Sequence, residues 1–269
     1  MMTFPYKHVL LIGATSGIGL AMANKMLEHG IRVTAVGRRK ERLDAWVQEN
    51  GPEKAYSVVF DISKLDAIPQ FVADVTRQHP DIDCVFINAG FQRMTDFTSP
   101  ETVDLVTYHQ IMHVNYTAAV TLATAFLPFL SGRSTATGLI FTQSNLAIVP
   151  AVSLPGYCAS KAALNTFAMC LRTQLKDAKS NVNVIEVFPP AVQTELHDYL
   201  GKGGNTLQMR MPLQEFTDKA WAGLAKGDDE VYVGFIPPEE RFFSIAGQRR
   251  AACEEWSARA KALLAGARS

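Results

Sequence analysis

Short runs of apolar residues alternate along the chain with longer stretches whose apolar positions recur at helical spacing. "HVLLI" (8–12), "IRVTAV" (31–36), "AYSVVF" (55–60), "CVFI" (84–87), "GLIFT" (138–142) and "VNVIEVF" (182–188) read as strands. Most are apolar without alternation, as strands covered on both faces of a parallel sheet are. Helical patterns separate them at about 17–29, 39–50, 64–78 and 101–130, and another opens near Tyr157. This order predicts an α/β fold, a doubly wound parallel sheet with helices on both faces. After Pro189 the pattern loosens, and 195–215 reads as a mobile segment, with Gly201, Gly203, Gly204 and Asn205 close together. A last strand is expected at "EVYVGF" (230–235), then a C-terminal helical extension over 248–267 carrying Cys253, Trp256, Ala260, Leu263 and Leu264. No repeat or low-complexity linker interrupts the pattern, so 1–269 reads as one domain.

Composition narrows the functional classes. With 48% hydrophobic residues in 269, the chain can bury a large core. Lys+Arg 26 balances Asp+Glu 26, so no net charge draws it to nucleic acid or to an anionic membrane. The longest apolar stretch, Leu122 to Leu130, contains Pro128 and is too short to span a bilayer. The N-terminal sequence does not read as a signal peptide, and a cytoplasmic location is expected. Cys84, Cys158, Cys170 and Cys253 lack C-x-x-C spacing and read as reduced packing groups; no metal site is expected.

The first strand runs into Gly13-Ala14-Thr15-Ser16-Gly17-Ile18-Gly19, which opens a helix. Glycines there permit a tight turn, close approach of a pyrophosphate and close helix–strand packing, while the helix N-terminus offers free N–H groups. A dinucleotide is the expected ligand. Later, "PGYCASKAAL" (155–164) sets Tyr157 and Lys161 one helical turn apart on one face. An ammonium beside a phenol favours the phenolate and would move its pKa toward working pH, making Tyr157 a usable acid and base.

The G-x-x-x-G-x-G loop, Asn88-Ala89-Gly90 after the fourth strand, Asn115 in "HVNYTA", Ser144 and Y-x-x-x-K together resemble the short-chain dehydrogenase/reductase family over about residues 7 to 195. The resemblance implies a single-domain Rossmann-type fold. It implies Tyr157 as general acid/base and Ser144 as the group holding the substrate oxygen. Lys161 is implied on the nicotinamide ribose, and Asn115 on a water linking Lys161 to solvent. By the same resemblance, Asp61 and Ile62 contact adenine, Asn88, Ala89 and Gly90 pass the adenosine ribose, and Val192 and Thr194 contact the carboxamide. Pro189-Pro190 stands where the family usually has Pro-Gly, which puts the path of that last loop in question.

Cofactor choice is read from "VTAVGRRKERL" (33–43), where Gly37, Arg38 and Arg39 stand in place of an acidic residue at the end of the second strand. Arginine grips a 2′-phosphate that a carboxylate would repel, so NADP(H) is expected, with Arg38 as the main contact. The expected activity is an NADPH-dependent carbonyl/alcohol interconversion on a small, largely apolar substrate. Phe91, Leu146, Ile148 and Leu196 are the candidate apolar walls, with Gln92, Arg93 and Asn145 beside them. The alternatives are an NADPH-binding sensor or scaffold without turnover, and a reductase of C=C or C=N bonds. The stretches 117–130 and 162–175 carry apolar and small residues on more than one side, so a homodimer or homotetramer is expected.

Overall fold

The computed structural model describes residues 4–200 and 210–266. Seven parallel strands form one sheet in the order β3-β2-β1-β4-β5-β6-β7. They are β1 His8–Ile12, β2 Arg32–Gly37, β3 Ala55–Val59, β4 Cys84–Ile87, β5 Thr137–Thr142, β6 Val182–Phe188 and β7 Glu230–Tyr232. The chain builds outward from β1 to β3, then crosses back to lay β4 on the other side of β1. That reversal opens a crevice past the carboxyl ends of β1 and β4, where ligands of such sheets bind. Ile12 pairs with both Val36 and Ile87, so the three strands end level beneath the crevice.

Both faces of the sheet are covered, which is why its strands do not alternate. Val9 and Leu11 enter one core with Met22, Met26, Leu43, Trp46 and Phe216. These come from α1 (Gly17–Glu28), α2 (Lys40–Asn50) and α7 (Leu213–Lys226). Leu10 and Ile12 enter the opposite core with Phe71, Leu122, Phe126, Leu164 and Ala168. Those belong to α3 (Ile68–Gln78), α5 (Ala118–Ser131) and α6 (Pro155–Asp177).

Several boundaries differ from the sequence reading. The helix expected over 101–130 is α4 (Leu105–Met112) joined to α5 by a π-helical turn, His113–Thr117, with a 3-10 turn at Pro100–Thr102. Length and apolarity would let Leu105–Ser131 cross a membrane, but Ala118, Leu122, Phe126 and Leu130 on it are fully buried against the sheet. β7 stops at Tyr232, short of the expected 235. Helix α8 spans Glu239–Gly266 and so begins nine residues before the expected 248. Helix α7 begins at Leu213, inside the stretch read as loosened; its Phe216, Ala220 and Leu224 pack under β6 and β7, a long-range contact that local glycines do not reveal. Within the expected mobile segment 195–215, Glu195–Leu200 forms a 3-10 turn, while 201–209 lies outside the described residues. All four cysteines are free, with Cys84 and Cys158 buried and Cys170 exposed.

Candidate active site

The loop after β1 depends on backbone that only glycine supplies at its tightest point. Gly13 has φ +93°, and a Cβ there would lie 2.7 Å from the backbone of Ala89. At Gly19 a Cβ would come within 2.6 Å of Asn88 Nδ2. Asn88 itself donates to the Gly13 carbonyl at 3.0 Å and accepts from Thr142 Oγ1 at 2.8 Å, binding together the ends of β1, β4 and β5. The N-cap of α1, Ser16, is extended and makes no side-chain cap bond. The first N–H groups of α1 therefore face the crevice without a capping oxygen, a setting suited to phosphate. The glycine cradle and this open helix end fit a dinucleotide.

Tyr157, Lys161 and Ser160 sit on the first turns of α6, and the π-helical turn brings Asn115 to meet them. A π turn widens the helix by one residue and recurs at functional sites. Asn115, 1% exposed, accepts from Phe91 N at 2.9 Å and donates to Phe91 O at 2.9 Å and Ser160 Oγ at 3.0 Å. Ser160 Oγ in turn donates to Tyr157 O at 2.7 Å. Both amide hydrogens of Asn115 are spent on the protein, so its side chain is a strut between the β4 loop and α6. Lys161 Nζ donates to Thr142 O at 2.7 Å.

In the free protein, burial works against the expected titration of the pair. It pushes the Tyr157 phenol up to about 12, with the hydrogen bond to Ser144 pulling the other way. It also pushes the Lys161 ammonium down to about 8. Burial is the largest influence on Tyr157, and Lys161 Nζ stands 5.8 Å from the ring centroid, held by the Thr142 carbonyl. Tyr157 is thus a protonated phenol at neutral pH. Ser144, at the end of β5, caps a short 3-10 turn by accepting from Leu146 N at 3.1 Å.

Every residue expected in the site except Gly19 and Asn115, which stand behind its wall, borders one cavity of about 940 Å³. Asp61 accepts from Ser63 N and Oγ at 3.0 and 2.9 Å, and Ile62 is 7% exposed beside it. Despite Pro189-Pro190, the loop after β6 returns to the glycines: a Cβ on Gly17 would meet Thr194 at 3.2 Å, and Val192 is bridged to Met211. The two arginines differ. Arg38 is 74% exposed and 3.9 Å from Asp61. Arg39 lies on the glycine loop, with Nε 2.9 Å from Thr15 Oγ1 and NH2 2.6 Å from both Thr15 Oγ1 and Ser16 Oγ.

Two residues absent from the sequence reading complete this corner. Glu195 accepts from Arg39 at 2.8 Å and from Arg42 at 2.7 Å, and these hydrogen bonds hold its carboxyl down at about 2. Arg42 had a signal, since it falls one helical turn after Arg39. Glu195 had none. On the substrate side Phe91, Leu146 and Leu196 line the cavity as expected, but Ile148 does not. Polar groups share that wall: Gln92 Nε2 bonds His197 Nδ1 at 2.7 Å, and Arg93 lies over the Tyr199 ring at 4.8 Å.

Residues 7–204 match the sequence profile of the short chain dehydrogenases. The chain is a short-chain dehydrogenase/reductase. This oxidoreductase is 32% identical over 224 residues to the uncharacterized oxidoreductase DltE of Bacillus subtilis (strain 168), covering 83% of this chain and 86% of that one. Among solved structures it resembles a short chain dehydrogenase from Burkholderia cenocepacia J2315 in complex with NADP. That likeness has TM-score 0.74 and 28% identity over 94% of this chain and 98% of the other. A short chain dehydrogenase/reductase from Burkholderia phymatum in complex with NAD shares the fold, with TM-score 0.75 and 19% identity over 86% and 90% of the two chains. The dehydrogenase/reductase thus has its glycine loop, Asn88 strut and buried Tyr157–Lys161 pair in one crevice.

Proposed function

We propose that this oxidoreductase interconverts a carbonyl and an alcohol with NADP(H), using Tyr157 as the general acid/base. The observation that carries the reading is the convergence of Ser144, Tyr157 and Lys161 on one cavity that also contains the glycine loop. The bound nicotinamide would supply or take the hydride. Tyr157, protonated at neutral pH, would donate its proton to the carbonyl oxygen during reduction, and Ser144 would hold that oxygen by hydrogen bonding. Lys161, fixed on Thr142 O, would stabilise the phenolate left behind. NADP(H) is supported by Arg38 and Arg39 on the cavity wall, by Arg42 beside them, and by Gly37 in place of an acidic residue at the end of β2. Gly37 has a packing role too, since a Cβ there would come 2.5 Å from Thr15 Cγ2.

The substrate would place an apolar body against Phe91, Leu146 and Leu196. The outer sides of α5 and α6 would join copies of the chain into a homodimer or homotetramer, in the cytoplasm, without nucleic acid or membrane. The test is oxidation of NADPH, followed by nicotinamide absorbance, with a panel of aldehydes, ketones and quinones. Reduction of at least one carbonyl class to its alcohol is expected. Binding of NADPH without turnover on any of them would instead make the protein a nucleotide-binding one, and turnover confined to enones or imines would assign it to the C=C or C=N reductases.

A further inference from the structure

The corner of the crevice beside the glycine loop is an anion site that already contains an anion. Arg39 NH1 and Arg42 NH1 both donate to the Glu195 carboxylate, at 2.8 and 2.7 Å. Arg39 also reaches Thr15 Oγ1 and Ser16 Oγ at 2.6 Å, the hydroxyls at the entry to α1. Two guanidinium groups converge beside the helix N-terminus, next to the end of β2 where the sequence puts a 2′-phosphate. The carboxylate comes from far along the chain, on the turn after β6 that also carries Leu196 and His197 and follows Thr194.

This network is exchangeable. The side chains of Arg39, Arg42 and Glu195 are 41%, 48% and 44% exposed, and ion pairs so open to water contribute little to stability. A phosphate monoester brings nearly two charges and three acceptor oxygens against one charge and two oxygens on a carboxylate. Arg39 and Arg42 cannot serve both fully.

We propose that Glu195 is an internal stand-in for the nucleotide 2′-phosphate: it occupies the Arg39–Arg42 site in the free protein, and the 2′-phosphate displaces it. Glu195 is then a specificity-determining residue, because it competes with a 2′-phosphate and not with the rest of the nucleotide. Displacement also unties the turn after β6. Side-chain tethers hold that turn to the rest of the site, among them Glu195 on the arginines, His197 on Gln92 at 2.7 Å and Tyr199 under Arg93. Filling the phosphate corner therefore changes the freedom of the wall that faces the substrate, and by linkage a substrate that orders that wall changes nucleotide affinity. The inference rests on the NADP(H) reading above.

The test uses nucleotides without nicotinamide, so no readout depends on turnover. Adenosine 2′,5′-bisphosphate and adenosine 5′-monophosphate are titrated calorimetrically into the wild-type protein, Glu195→Gln and Glu195→Ala, each first checked by its melting curve. Both variants should bind the bisphosphate at least about fivefold more tightly than the wild type and the monophosphate equally well. In the wild type, the bisphosphate and not the monophosphate should speed amide hydrogen exchange across Thr194–His197. Equal or weaker bisphosphate binding by the variants would overturn the stand-in role while leaving the NADP(H) reading intact. No preference for the bisphosphate in any of the three proteins would sink both.

Discussion

At the scale of single residues, the proposed chemistry would turn on one transferable proton and one glycine. Tyr157→Phe removes only the phenol oxygen from a ring that is 7% exposed, so the fold and nucleotide binding should persist. Turnover should fall about 10²–10⁴-fold, the usual contribution of one acid/base group, as measured by kcat on whichever carbonyl the wild type reduces. The pH dependence follows from the same burial. With the phenol pushed up to about 12, the proton needed for reduction is held across the neutral range, whereas alcohol oxidation requires the phenolate. Reduction should therefore stay nearly flat from neutral to mildly alkaline pH while oxidation climbs with pH; an oxidation rate that fell with rising pH would contradict it. Gly13→Ala would force a side chain at φ +93° into the Ala89 backbone, a strain of about 1–3 kcal/mol. A lowered melting temperature and lost nucleotide binding are the expected result. These candidates were legible because the patterns that mark them are local: a turn, a one-turn helix spacing, a strand end. Glu195 was not legible, because its meaning depends on arginines more than 150 positions away.

Among elements, the informative departures occur where tertiary packing overrides local pattern. The π-helical turn His113–Thr117 contains no proline or glycine to announce it, yet it aims Asn115 into the β4 loop. The strand β6 carries a further departure, a carboxylate in its interior. Glu186 is 0% exposed and takes hydrogen bonds from Gln143 at 2.8 Å and Asn165 at 2.9 Å, with Arg172 NH2 at 2.7 Å. Burial raises its pKa, opposed by the Arg172 charge. This group joins β5, β6 and α6 directly behind Ser144. Arg172→Met should destabilise the protein by about 3–5 kcal/mol, since it strands a buried charge. Adding Glu186→Gln to that variant should recover part of the loss in a chemical denaturation curve. If Arg172→Met cost nothing, the network would not support the strand as described.

Over the whole molecule, the remaining question is what covers the outside of the helical layer. Leu127, Phe129 and Phe167, within the stretches 117–130 and 162–175, are partly buried and pack against the chain's own core. Leu105 and Val106, at the start of the same helical rod, are 53% and 81% exposed. Light scattering at micromolar concentration should give the mass of a dimer or tetramer; a monomer would mean that the fold alone meets the needs of these helices. The sequence by itself determined the alternating strands and helices, the parallel sheet with two apolar faces, the glycine turn and the candidates around Tyr157. Each of these is written in local spacing, where backbone geometry and side-chain period leave few choices. Only the tertiary structure decided that Asn115 braces the β4 loop against α6, that Tyr157 is buried with its pKa pushed up, and that Glu195 closes on Arg39 and Arg42. Burial and charge pairing depend on which distant segments the fold brings within a few ångströms, and no spacing along the chain encodes that distance.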